Sequence, residues 1–225
     1  MITNSAGRAE PSMRAERRWP MAAAVTIAGL LFELLPADFQ MFPDQSFVYP
    51  VFLAVFLVVL IAGDPGRIDR QRRWLRITTG LMIATITLVT AVQAVRLVVG
   101  ILTDASFDSA GQLLAIGGII WVSNGIAYAL WFWDLDGGGA AARAAGDSTV
   151  PRAFVFPEHS LPDLVPAGWY PQFVDYVALS FNTALAFSPT DVSAIRPWAK
   201  VMMISESATS LALGALVIAY AVNIL

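Results

Sequence analysis

The sequence predicts an all-α membrane protein. Four transmembrane helices are followed by a helix that re-enters or fully crosses the membrane, a proline-broken loop and a final transmembrane helix. Two observations support this fold class. Hydrophobic residues make up 57% of the 225-residue chain and charged residues only 14%, whereas soluble domains carry about 25% charged residues. The apolar residues also gather into long runs that contain almost no charge, as expected for segments surrounded by lipid.

Composition divides the chain into four segments. Residues 1–18 are polar and arginine-rich and predict a loose cytoplasmic tail. Residues 19–133 hold the four transmembrane helices, and residues 134–168 form a cytoplasmic loop. Residues 169–225 form a pore-like helical hairpin.

The four predicted transmembrane helices correspond to four apolar runs. At about 1.5 Å per residue, a helix of 17 residues just crosses a hydrocarbon core of roughly 30 Å. The runs are Pro20 to Pro36, Phe47 to Gly63, Arg76 to Ile101, and Leu113 to Trp133.

Arginines in alternate connections predict the orientation of the helices. Of the 14 basic residues, four lie in the segment 1–18 and five in the connection 64–76, whereas the connections 37–46 and 102–112 contain none. Because arginine near a helix end resists translocation, the N-terminus and the second connection are expected in the cytoplasm. The tryptophans Trp19, Trp74, Trp131 and Trp133 fall at the same side, at the depth that indole rings prefer.

The connection 134–168 contains three consecutive glycines, four prolines and the only histidine. We interpret it as a linker, with a regulatory role as the alternative. Asp134 and Asp136 could hold a metal against a lipid pyrophosphate, but the following arginine is misplaced, so a solvated turn is expected. Glu158, His159 and Asp163 match no known ligand spacing. We therefore predict no catalytic residue, metal site or cofactor.

The last third of the chain is broken within an apolar stretch. Residues 169–186 are apolar enough to enter a membrane, and a final helix follows from Trp198 to Leu225. Between them Pro189 lacks an N–H and disfavours helix at Ser188, so the chain must leave the helical conformation there. A re-entrant hairpin and two full crossings both fit this pattern.

The run from Phe181 through Thr183 to Asp191, continuing to Trp198 and Lys200, resembles the pore region of tetrameric potassium channels. In that family a short pore helix leads into a filter, and an inner helix follows. The resemblance implies a homo-oligomer, with a tetramer as first choice, and monovalent cations as partners. Its filter-like positions are Thr183, Ala186, Phe187, Ser188, Pro189, Thr190 and Asp191.

The filter implied by this resemblance is degenerate. The channel family has Gly-Tyr-Gly where this chain has Ser188, Pro189 and Thr190. A potassium filter relies on glycine to align its carbonyl groups along the pore. The resemblance therefore implies weak selectivity. The same region, with Asp191 after the break and a closing Ala-Val-Asn, is also similar to uncharacterised families of bacterial membrane proteins, which implies the bacterial inner membrane.

Polar residues inside the apolar runs are further candidates for function. Glu206 and Ser210 share one face of the last helix and predict a pore lining, with an interfacial carboxylate in contact with water as the alternative. Glu33 and Arg96 are expected at one membrane depth, where they form an ion pair or extend separately to the surface.

Two functions of different class follow. One is a weakly selective, ion-channel-like oligomer with a constriction from Ala186 to Asp191. The alternative is a non-conducting scaffold or partner-binding protein. The lipid bilayer is a partner in both cases, and nucleic acid is not, because the net charge of −3 and the two short basic segments form no broad basic face.

Overall fold

The computed structural model describes residues 15–40, 47–68, 72–103, 107, 109–161, 163–185 and 191–223. The helices are α1 (Trp19–Glu33), α2 (Val48–Gly63), α3 (Arg73–Leu102), α4 (Ala110–Leu135), α5 (Ala140–Ala145), α6 (Phe173–Ala184) and α7 (Pro197–Asn223). The strands, of two residues each, are β1 (Glu16–Arg17), β2 (Arg67–Ile68), β3 (Phe154–Val155) and β4 (Ser193–Ala194). Short 3₁₀ turns cover Ala37–Phe39, Asp136–Gly138 and Pro157–Ser160.

The described part of the chain is mostly helical, and its long helices are apolar, as the composition predicts. Within the described ranges, α3, α4 and α7 are long and apolar enough to cross a membrane, and α1 and α2 are shorter apolar helices of 15 and 16 residues. Each begins and ends within a few residues of the predicted apolar run. Long apolar runs have no other way to satisfy their backbone hydrogen bonds in lipid.

Threonines are compatible with the lipid-exposed helix α3 because their hydroxyl groups are bonded within the helix. Thr78 Oγ1 donates to Trp74 O at 2.9 Å, and Thr85 Oγ1 donates to Leu81 O at 2.9 Å. Each hydroxyl thus reaches the carbonyl of the preceding turn, so no donor is left without an acceptor.

Helices α4 and α7 are antiparallel neighbours. Tyr128 bonds to Ser205 near one end of the pair, and Asn124 bonds to Ser210 one turn further along. At the other end, the ring of Phe107, which precedes α4, lies against the ring of Tyr220 at 5.7 Å. We call the end of the bundle where α4 finishes the Trp133 end, and the opposite one the Phe107 end.

Helices α6 and α7 both begin at the Trp133 end. The backbone N–H of Phe173, the first residue of α6, donates to Glu16, and Glu16 also accepts from Trp133. Strand β4, which precedes α7, is antiparallel to β3, and the N–H of Ile195 donates to Ala153 O at 2.8 Å. Bonds between Ser180 and Glu206 and between Thr183 and Ser207 then show that the two helices run in the same direction.

The described parts of the tail and of the connection 134–168 are packed against the bundle, which corrects two expectations. In the tail, Glu16 is buried, and β1 pairs with β2, with Glu16 opposite Ile68. In the connection, Ala153, Phe154 and Phe156 are buried. The predictions of a loose tail and of a plain linker are therefore wrong for these residues. Contacts between residues distant in sequence stabilise segments that are too polar to fold alone.

Candidate functional site

Two of the filter-like residues fall within the described ranges. Thr183 is buried, and its Oγ1 donates to Leu179 O at 2.8 Å, so its side chain is held within α6. Asp191 is exposed at the Trp133 end, just before β4. Ala186, Phe187, Ser188, Pro189 and Thr190 lie outside the described residues.

Glu206, predicted as a pore lining, points into the bundle of its own chain. It is fully buried, and its Oε1 forms a hydrogen bond with Ser180 Oγ of α6. The same Ser180 Oγ lies 2.7 Å from Gly125 O of α4. Oε2 of Glu206 has no hydrogen-bond partner among the described residues. The alternative of an interfacial carboxylate in contact with water is therefore wrong for Glu206.

Polar contacts between α4 and α7 lie on both sides of Glu206 along the helix axis. Asn124 Nδ2 donates to Ser210 Oγ at 3.2 Å, and both residues are buried. Ser205 Oγ donates to Met202 O at 2.8 Å, so Tyr128 is the donor in its 2.8 Å bond with Ser205. Glu206, Ser210 and Ser205 of α7 thus each form a hydrogen bond with a residue of α4 or α6.

The outer face of α7 carries mainly aliphatic side chains. Along it, small alanines alternate with larger side chains at helical spacing. The exposed aliphatic residues of α7 from Val201 onward are Val201, Ile204, Ala208, Leu211, Ala212, Ala215, Ile218, Ala219 and Val222. This face suits lipid or another apolar helix.

Glu33 and Arg96 are both exposed near the Phe107 end. Arg96 Nη1 donates to Gln40 O at 3.0 Å and to Asp38 O at 3.4 Å. No hydrogen bond or ion pair joins Glu33 with Arg96 in the described part of the chain, so their pairing stays a prediction.

A second polar cluster, at the Trp133 end, is centred on Asp136. This residue is fully buried. Its Oδ1 accepts from the backbone N–H groups of Ala153 at 2.5 Å and Phe154 at 3.3 Å, and its Oδ2 accepts from Tyr176 Oη at 2.6 Å. The expectation of a solvated turn is therefore wrong. The carboxylate joins the end of α4, strand β3 and helix α6 into one assembly, and we call it the Asp136 cluster.

The three consecutive glycines let the chain reverse at this point. Gly137, Gly138 and Gly139 have φ angles of +54°, +82° and +91°, a region that side-chain-bearing residues rarely adopt. The reversal brings Arg143 back beneath α4, where its Nη1 donates to Asp136 O at 2.6 Å and Trp133 O at 2.7 Å. The glycines therefore serve to return a cation to the end of α4, where carbonyl groups lack helical partners.

Arg143 supplies the positive charge of the Asp136 cluster. Its side chain is buried, and the guanidinium lies 4.9 Å from the ring centre of Tyr176. Nε and Nη2 have no hydrogen-bond partner among the described residues. A guanidinium over an aromatic face is stabilised by the ring quadrupole. Arg143 therefore offsets the negative charge of the buried acids Asp136 and Glu16 without forming an ion pair with either of them.

Glu16 is the second acid in this region. Its Oε2 accepts from Trp133 Nε1 at 2.9 Å, and its Oε1 accepts from the N–H of Phe173. Burial raises the pKa of Glu16, and these two hydrogen bonds oppose the increase because they favour the charged form. Glu16 thus ties the N-terminal segment to α4 and α6.

His159 is the remaining candidate ligand in the connection. Its pKa is lowered, first by burial and then by the nearby Arg152. Nδ1 contacts the backbone of Phe156, and the ring lies 5.3 Å from that of Trp169. Among the described residues, no three His, Cys, Asp or Glu side chains are close enough to hold a metal ion.

The Asp136 cluster is not among the features predicted from the sequence, although the sequence contains one signal that points to it. Three glycines between two acids and an arginine are typical of a forced reversal, not of a flexible linker. The groups that donate to Asp136, the N–H of Ala153 and the hydroxyl of Tyr176, lie too far away in sequence to be paired with it by spacing. Comparison of the chain with protein-family models, with curated proteins and with solved structures gave no match.

Proposed function

We propose that this protein is a non-conducting membrane scaffold. It assembles with its own copies through the outer face of α7 and offers the Asp136 cluster to a partner. The observation that supports this proposal most directly is the orientation of α7. Its polar residues Glu206 and Ser210 bond to the same chain, and its outer face is aliphatic.

An ion pathway between copies would need polar side chains or carbonyl groups around the common axis. A ring of α7 helices would instead present Ile204, Leu211 and Ile218, which are all exposed. Such a ring excludes water and is typical of helix packing. The exposed alanines, spaced four residues apart as Ala208 with Ala212 and Ala215 with Ala219, allow close approach of two helices. A tetramer remains the first choice of assembly.

The membrane arrangement that goes with this proposal has α1 to α4 crossing, α6 re-entering and α7 crossing once more. It is supported by the start of α6 and the start of α7, which lie at the same end of the bundle. The arginine distribution supports a cytoplasmic N-terminus and Trp133 end in a bacterial inner membrane.

Cysteine labelling tests this arrangement, because the chain has no native cysteine. The variants are Ser148→Cys, Ser193→Cys and Asn223→Cys, all at exposed positions. We expect a membrane-impermeant maleimide, added to intact cells, to label only Asn223→Cys, and to label the other two after the cells are opened. Labelling of Ser193→Cys and not of Asn223→Cys in intact cells would overturn re-entry and favour two full crossings.

Ion flux tests the absence of conduction. Purified protein in liposomes is assayed for potassium and sodium flux, together with Asp191→Asn and Glu206→Gln. We expect all three proteins to match protein-free liposomes. Flux that depends on protein and falls in Asp191→Asn would overturn the scaffold proposal.

That outcome would favour the second candidate, a weakly selective ion-channel-like oligomer with its constriction from Ala186 to Asp191. The observation that favours it is the hairpin itself, in which α6 and α7 run in the same direction on either side of a break. A channel pore helix and inner helix are related in this way.

A further inference from the structure

A cavity of about 300 Å³ lies at the Trp133 end, bordered by the start of α3, the end of α4 and helix α5. We propose that this cavity binds the phosphate group of an anionic lipid headgroup. The proposal concerns a different face from the hairpin and holds whether or not the protein conducts ions.

Among the described residues that border the cavity, four arginines and three aspartates leave an excess of one positive charge. Arg18 Nη2 forms an ion pair with Asp64 Oδ2 at 3.1 Å, and Arg76 and Asp134 border the same cavity. The cavity is also bordered by two further arginines, Arg72 and Arg73, and by one further acid, Asp147. A phosphodiester carries one negative charge, so a single headgroup would balance the cavity.

The side chains of Arg72 and Arg73 are exposed, and within the described ranges the structure records no side-chain hydrogen bond or ion pair for either. Guanidinium groups bind phosphate through two parallel N–H donors. Asp147 is partly occupied, because its Oδ1 accepts from the N–H of Thr149 at 2.9 Å. The donors of Arg72 and Arg73 are thus the ones that a ligand could use.

The position of these arginines is unfavourable unless an anion is present. They lie at the beginning of α3, a helix of 30 residues. Its first turn contains no acidic residue, and the side chain of its N-cap residue, Arg72, accepts no hydrogen bond from the backbone N–H groups of that turn. The N-terminal end of a helix carries partial positive charge and free N–H groups. The positive charges of Arg72, Arg73 and Arg76 are repelled by this end of the helix, whereas a phosphate would bind both to the arginines and to the N–H groups of the helix.

The depth and shape of the cavity identify the source of the phosphate as lipid. Trp19 and Trp74 flank this end of the bundle with 66% and 43% of their surfaces exposed, and indole rings prefer the headgroup region. The buried side chains of Leu60 and Leu75 form part of the cavity wall. A lipid fits this arrangement, with its phosphate at the arginines and an acyl chain along the leucines. Basic pockets between membrane helices bind lipid headgroups in this way.

Native mass spectrometry of the detergent-solubilised full chain tests the proposal. The probes are phosphatidylglycerol, phosphatidylcholine of the same acyl chains, and inorganic phosphate. We expect phosphatidylglycerol to be retained about tenfold more than phosphatidylcholine, which corresponds to about 1.4 kcal/mol. The variant R72Q/R73Q is expected to lose this preference.

The matched control is R17Q/K200Q, which removes the same charge from exposed residues outside the cavity. We expect it to keep the preference, and both double variants to unfold at the temperature of the parent protein. Equal loss in both variants would overturn the site, because it would show binding to overall charge. Binding of inorganic phosphate that displaces phosphatidylglycerol and depends on Arg72 and Arg73 would overturn the assignment to lipid.

Discussion

Ser180 Oγ lies 2.7 Å from Gly125 O and also forms a hydrogen bond with Glu206 Oε1. A serine hydroxyl carries one proton, and a carbonyl oxygen can only accept. The proton of Ser180 therefore serves Gly125 O, and the proton of the second bond must come from Glu206. The relationship implies that Glu206 is a neutral carboxylic acid that donates to Ser180.

The protonation of Glu206 can be measured by infrared spectroscopy of the protein in liposomes. We expect the carbonyl band of a protonated carboxyl group at neutral pH, and its disappearance in Glu206→Gln. The glutamine amide can still donate to Ser180, so this variant should fold normally. Asp191→Asn serves as the control, because Asp191 is exposed. A spectrum unchanged by Glu206→Gln would contradict the donor count.

Ser180→Ala should destabilise the bundle. The substitution leaves the buried carboxyl of Glu206 without its partner, and an unsatisfied buried polar group costs about 1–3 kcal/mol. Ser205→Ala is the matched control, because Ser205 is exposed and neither of the residues that its hydroxyl bonds, Met202 and Tyr128, is buried. Thermal unfolding in detergent should show a clear decrease for Ser180→Ala only, and equal effects would contradict the role of Ser180.

Tyr176→Phe should loosen the Asp136 cluster. The change removes the hydroxyl that donates to Asp136 Oδ2, and a hydrogen bond to a charged group contributes about 1.5–3 kcal/mol. Tyr128→Phe removes a hydroxyl with an exposed partner, Ser205, and should cost less. Limited proteolysis between residues 147 and 152 measures the effect. Faster cleavage in Tyr128→Phe than in Tyr176→Phe would contradict this ranking.

The attachment of the N-terminal segment should depend on pH through Glu16. Because burial raises the pKa of Glu16 above its ordinary value near 4.5, the folded protein binds this proton more tightly than the unfolded chain does. The stabilisation is therefore complete below about pH 4.5 and decreases as pH rises through the raised pKa. We expect the free energy of unfolding of the wild type, relative to Glu16→Gln, to fall over that range. A difference that grows with pH would contradict the sign.

Gly117→Ala should separate α4 from α7, whereas the neighbouring Gly118→Ala should not. A Cβ at Gly117 would lie 2.9 Å from Val217 Cγ2, and valine cannot easily move away because its side chain is branched. A Cβ at Gly118 would meet nothing within 4 Å. We expect a loss of about 1–3 kcal/mol in thermal stability for Gly117→Ala, and a neutral or small stabilising effect for Gly118→Ala. Equal effects would contradict the contact.

The packing partner of each polar residue could not be predicted from sequence. Helical spacing predicts that Glu206 and Ser210 share one stripe of the last helix, but it does not predict whether that stripe faces an oligomer axis or the same chain. Helical spacing defines a face and leaves its partner open. The burial of Asp136 could not be predicted either, because its hydrogen-bond donors Ala153 and Tyr176 belong to segments whose sequence patterns give no sign that they pack together.

The amino-acid sequence alone determined that this protein is mostly helical, that it has helices long and apolar enough to cross a membrane, and where most of these helices begin and end. Lipid offers no hydrogen bonds, and only a helix satisfies the backbone groups of a long uncharged run within the run itself, without a neighbouring segment. Only the tertiary structure decided that the polar side chains of α7 turn inward, that α6 and α7 start at one end, and that Asp136 and Arg143 are buried. Those features depend on contacts between residues far apart in the chain, whose energies exist only once the helices are packed together.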